Sequence, residues 1–117
     1  MPYDEQLAQR FRDALADRDT MPATTEKNMM GGICFFVNGN MLGGASKTKD
    51  GEPRFMLRVG KELEELALAR EGAMPVVLGK RRMGGMVFVE ADKCNDRQLT
   101  DWILLALKFV GELPAKP

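Results

Sequence analysis

The stretch Lys27-Asn28-Met29-Met30-Gly31-Gly32-Ile33-Cys34-Phe35-Phe36-Val37-Asn38-Gly39-Asn40-Met41-Leu42 decides the fold. It reads as a strand end, a Gly-Gly joint, an apolar strand, a tight turn and a returning strand. Asn38-Gly39 between apolar runs is a strong hairpin signal, because a type I′ turn needs positive φ at both central residues and Asn and Gly tolerate it. Short turns of this kind join antiparallel strands.

Upstream of the hairpin, Tyr3, Leu7, Phe11 and Leu15 recur every four residues, with Ala8 and Ala14 beside them. That spacing predicts an amphipathic helix ending near residues 17–19. A loop through Met21-Pro22 then leads into a strand over 26–30, followed by strands over 33–37 and 41–45. Downstream, Asp50-Gly51 and Pro53 punctuate a polar loop before Phe55-Met56-Leu57-Arg58-Val59. There Phe55, Leu57 and Val59 share one face and Arg58 takes the other. A second helix is expected over 61–70, with Leu63, Leu66 and Ala67 as its inner stripe. A short extended piece over 76–78, a basic glycine-rich turn over 79–85 and a strand over 86–90 follow. Asn95 with Gln98 three residues later forms a capping-box pattern. It opens a helix whose stripe runs Leu99, Trp102, Ile103, Ala106, Phe109, Val110 and Leu113, stopped at Pro114. The expected class is α+β. A single antiparallel sheet of about five strands packs with three helices, in the order α-β-β-β-α-β-β-α.

At 117 residues the chain suits one domain, 1–117, large enough to need no metal or disulfide staple. Seventeen basic residues balance 17 acidic ones, so no bulk attraction to DNA, RNA or anionic lipid is available. The opening residues carry no secretory signal, and no apolar run approaches the ~18 residues of a membrane span. The two cysteines, Cys34 and Cys94, lack a metal spacing and suit a reducing compartment, so a cytoplasmic location is expected. The chain has no histidine. That removes the commonest general base, the histidine-activated nucleophiles and the commonest zinc ligand.

Several residues are candidates for chemistry, each with a plainer reading. Lys80, Arg81 and Arg82 beside Gly84 and Gly85 offer guanidinium forks and glycine amides that could hold an anion. Arg54, Arg58 and Lys61 are possible additions to that surface. The spacing is not a P-loop, and a solvated turn is the plainer reading. Cys34 reads as a small core residue. Cys94 reads as an incidental surface thiol before a helix N-cap. Nine methionines either fill core gaps or make an adaptable binding surface, with core filling the default. Glu62, Glu64 and Glu65 read as a solvated helix face. Ile33-Cys34-Phe35-Phe36-Val37 is apolar on both faces, and Leu104, Leu105 and Leu107 lie off the main stripe of the last helix. Either a homodimer or partner interface, or a well-covered central strand, accounts for the excess.

The order and spacing of these fragments resemble the TfoX N-terminal domain family. The resemblance rests on Tyr3-Asp4-Glu5-Gln6-Leu7, Met29-Met30-Gly31-Gly32, Val37-Asn38-Gly39-Asn40-Met41-Leu42 and Leu57-Arg58-Val59-Gly60. It continues through Gly72-Ala73-Met74-Pro75, Met83-Gly84-Gly85-Met86-Val87-Phe88-Val89 and the closing helix from Trp102 to Leu113-Pro114. Three positions depart from the family pattern, which usually has Phe at Met30, a basic residue at Gly84 and an aromatic at Met86. The missing charge at Gly84 weakens the anion reading. The resemblance assigns structural roles to Gly31, Gly32, Asn38, Gly39, Met83, Gly85 and Trp102, and it brings no established set of functional residues.

The family includes bacterial competence regulators that act in transcription with the cyclic-AMP receptor protein and carry a second, C-terminal domain. This chain resembles a stand-alone member, so the competence role does not transfer automatically. The expectation is a non-enzymatic regulatory and protein-interaction domain, associated with transcription or competence. It would have a protein partner or homodimer, no cofactor and no membrane contact. The alternative is direct binding of nucleic acid or a small anionic ligand through residues 79–85, with Lys80, Arg81, Arg82 and Arg58 as contacts.

Overall fold

The structure is a computed structural model that describes residues 5–16, 23–29 and 31–115. Helix α1 (Glu5–Ala16) leads into strands β1 (Thr25–Met29), β2 (Gly32–Val37), β3 (Asn40–Lys47) and β4 (Pro53–Arg58). Then come α2 (Glu64–Leu68), β5 (Ala73–Leu78), β6 (Arg81–Glu90), a 3-10 turn (Ala91–Lys93) and α3 (Asp96–Val110). The class is α+β. The strands form one antiparallel sheet in the order β1-β2-β3-β4-β6-β5.

Asn38 and Gly39 sit at φ 51° and 81° between β2 and β3, the positive values that the hairpin signal requires. Asn40 follows immediately. It is a buried polar side chain whose Nδ2 donates to the Pro114 carbonyl at 2.9 Å, tying the tail after α3 to the hairpin. At α3 the capping box forms as the sequence implies. The Asn95 side chain accepts from the Gln98 N–H, and the Gln98 side chain accepts from the Asn95 N–H.

The main core lies between one face of the sheet and the helices. Phe11 of α1 stacks on Phe35 of β2 with centroids 4.5 Å apart and tilts against Phe55 of β4 at 6.1 Å. All three rings are fully buried, with Leu42, Leu57, Leu99 and Ile103 around them. Each ring contributes about 2–3 kcal/mol by leaving water, so this cluster dominates the packing.

Four expectations need correction. The sheet has six strands, not about five, because four strands rather than three precede α2. Its edge strand β5 begins at Ala73 and pairs on one side only, which is where Pro75 is tolerated. Second, the basic turn is confined to Gly79 and Lys80, while residues 81–85 belong to β6. Pairing of Val76, Val77 and Leu78 with Met83, Arg82 and Arg81 extends that strand. Third, α2 is five residues long, within the expected span of 61–70. One turn has a single inward face, which Ala67 takes, and Leu66 is 69% exposed. Fourth, Cys94 is buried in the main core rather than lying on the surface, and Arg10 of α1 donates to its carbonyl. Tyr3, Met30 and the expected helix end at 17–19 lie outside the described residues.

Candidate functional site

Strand alternation sorts side chains onto two faces. On β2, β4 and β6, residues Ile33, Phe35, Phe55, Leu57, Val87 and Val89 meet the helices. Their neighbours Cys34, Phe36, Met56, Met86 and Phe88 turn to the opposite face. There they form a second apolar cluster with Val76 of β5, against which Met41, Met74 and Met83 pack. Every member of this cluster comes from a strand, and none from a helix.

All six methionines among the described residues are on or beside this face. Met41, Met56, Met74, Met83 and Met86 belong to the cluster or pack on it. Met29 joins Cys34, Met56 and Phe88 around a small depression. The centre is buried, whereas Phe36, Met41, Met74 and Met83 remain half-buried. Buried and half-buried methionines therefore share one face.

Two cations lie over this face. The Arg54 guanidinium sits 3.7 Å from the Phe88 ring centroid, and the Lys27 ammonium 5.3 Å from that of Phe36. Sequence placed Arg54 with the glycine-rich turn. The strand register places it instead opposite Glu90, on β4 next to the depression. The signal was available in Arg54-Phe55-Met56-Leu57-Arg58, where Met56 between two arginines makes the outer face apolar at its centre.

The basic residues do not gather at one point. Lys80 and Arg81 are exposed at the β5–β6 hairpin tip. Arg82 donates to Glu64 Oε2 at 2.5 Å and is already paired. Arg58 lies opposite Met86, five residues along β6 from Arg81, or about 16 Å at the rise of an extended strand. It flanks a groove of about 610 Å³ with Lys61, Lys108 and Phe109, its guanidinium 5.5 Å from the Phe109 centroid.

Glu64 is the residue that sequence reasoning missed. Its Oε1 accepts the Gly85 N–H at 2.5 Å, and its side chain is only 15% exposed. The Gly85 hydrogen bond, followed by Arg82, holds the carboxyl below the usual range. The glycine amide that the sequence offers to an outside anion therefore holds the chain's own carboxylate. Gly85, at φ 81°, also has a carbonyl that accepts the N–H groups of Val59 and Gly60 at 2.9 and 3.0 Å. A Cβ at Gly85 would stand 3.1 Å from the Gly60 backbone, so a close crossing of β6 over the end of β4 requires this glycine.

The other motif residues hold the frame. Gly31 turns the chain at φ 75° between β1 and β2, and Gly32 begins β2. Met83 packs on the second cluster, and Trp102 is buried on α3 with the Arg70 guanidinium 4.9 Å from its ring centroid. Burial raises the Cys34 thiol pKa and pushes that of Cys94 up to about 11. Among the described residues no three His, Cys, Asp or Glu side chains gather as a metal site, and no helix is long and apolar enough to cross a membrane.

Comparison with curated proteins and with solved structures gives no significant match. A family model, the TfoX N-terminal domain, matches residues 5–110, nearly the whole chain. With the Gly60–Gly85 crossing and the Asn38–Gly39 hairpin both built from the motif residues, the chain belongs to the TfoX N-terminal domain family.

Proposed function

We propose that this domain is a non-enzymatic regulatory module that works in the cytoplasm, in connection with transcription or competence, by binding a protein partner. The observation that carries the reading is the strand-only face on which the six described methionines meet. Flexible, polarizable methionines suit a surface that repacks against a partner. Membership of the TfoX N-terminal domain family supports a regulatory role. The lack of histidine supports a binding role over a catalytic one.

Two of the three off-stripe leucines of α3, Leu105 and Leu107, pack on the main core, which favours the sheet face as the docking surface. Self-association through the same face is the homotypic form of this reading, and light scattering on the purified chain distinguishes it from binding to another protein.

The test is a comparison of transcript profiles in the native host. A chain carrying Met41→Glu and Met74→Glu, shown by circular dichroism to be folded, is set beside a deletion. The reading expects the two profiles to coincide. A folded double variant that regulates as the parent does would overturn it.

A further inference from the structure

Arg54 is placed as an anchor that lacks its counterpart. Its guanidinium stacks on Phe88 at 3.7 Å, and its Nε reaches Ser46 Oγ at 3.5 Å. No carboxylate among the described residues pairs with it. Glu90, directly across on β6, pairs with Lys93 at 3.2 Å instead. Burial lowers the Arg54 pKa, while the group stays charged. Lys27, over Phe36, is likewise without an ion pair among the described residues. The face thus has an apolar floor and two positive groups held over aromatic rings.

Stacking fixes the plane of a guanidinium and leaves its outer edge free for a bidentate carboxylate. A partly desolvated arginine beside apolar pockets is also the kind of residue that dominates binding energy at an interface. Resting on the protein-binding reading above, we propose that this face receives a segment of a protein partner in which apolar side chains are flanked by Asp or Glu. One of those carboxylates closes on Arg54, the apolar side chain next to it enters beside Met29 and Met74, and those further along the segment reach Phe36, Met41 and Met83 toward the other end of the strands.

The experiment places the photo-crosslinking residue p-benzoylphenylalanine at position 74 of the whole chain in the native host and sequences the crosslinked peptide by mass spectrometry. The expected result is a defined adduct whose peptide carries more Asp and Glu than Lys and Arg. Arg54→Gln lowers its yield about tenfold or more, the loss of one anchoring contact. Arg54→Lys, which keeps the charge but not the planar fork, also lowers it. Thermal melts confirm that both variants fold. A basic adduct peptide, or a yield unchanged by Arg54→Gln, overturns the acidic-segment proposal and leaves the docking face standing. The absence of any adduct with Arg54 in place overturns both.

Discussion

Replacing Glu64 with alanine removes two interactions at once, and the geometry sets their size. The Gly85 N–H loses a carboxylate acceptor at 2.5 Å in a part-buried position. A hydrogen bond to a charged group contributes about 1.5–3 kcal/mol, and partial solvent access favours the lower half of that range. The Arg82 pair adds little, since that guanidinium is 56% exposed and exposed pairs contribute about 0–1 kcal/mol. The expected loss is about 2 kcal/mol. For 117 residues this is a fall of about 8 °C in melting temperature, given the usual unfolding entropy per residue. Glu64→Gln, which keeps an acceptor without the charge, should lose about half as much.

The pH dependence follows from the depressed carboxyl pKa, caused first by the Gly85 N–H and then by Arg82. Stability from such a group is present above the ordinary carboxylate range and is lost as pH falls through the lowered folded value. The gap between parent and Glu64→Ala should therefore be full at pH 7 and narrow below roughly pH 4. Urea titrations at several pH values measure it, with Glu65→Ala as an exposed control. Amide exchange at Gly85 should quicken in the Glu64→Ala chain. A variant within about 0.5 kcal/mol of the parent at pH 7, or a gap that ignores acidification, would refute the anchoring role.

Asn40→Ala leaves the Pro114 carbonyl without its donor and should cost about 1–2 kcal/mol in denaturant titrations. An unchanged midpoint would show that the tail contact carries no stability. Both thiols should resist Ellman's reagent in the folded chain at neutral pH, because each is buried and its pKa is raised. Modification faster than unfolding would contradict that burial. Fluorescence anisotropy with a short DNA duplex at physiological salt should show no binding that depends on Lys80 and Arg81, since Arg82 is engaged by Glu64. Tight binding abolished by Lys80→Ala with Arg81→Ala would restore the nucleic-acid reading.

Much of the frame was legible because it rests on local physics. Asn38–Gly39 must turn, Asn95 with Gln98 must cap, and the 3.6-residue stripe of α3 must face a core. The extent of β6 was not legible, since Arg81 and Arg82 join the strand only by pairing with β5. Cys94 was read as exposed because local sequence does not reveal that it packs in the main core. Arg10 of α1 donates to the Cys94 carbonyl, a contact between residues far apart in the chain. Glu64 is the sharpest case. In sequence it is one of three glutamates on a helix, and only the β4–β6 crossing brings Gly85 to it. The methionine-rich face was half visible. Apolar residues on both faces of β2 announced it, but whether a helix covered that face was a question of topology.

A crosslink map over the two faces of the sheet tests the central claim most directly. p-Benzoylphenylalanine is placed in turn at positions 41, 74 and 83 on the strand-only face, and at positions 9, 66 and 104 on the helices. The account predicts one shared adduct from the first three positions and none from the others. Adducts from the helix positions, with nothing from 41, 74 and 83, would contradict it.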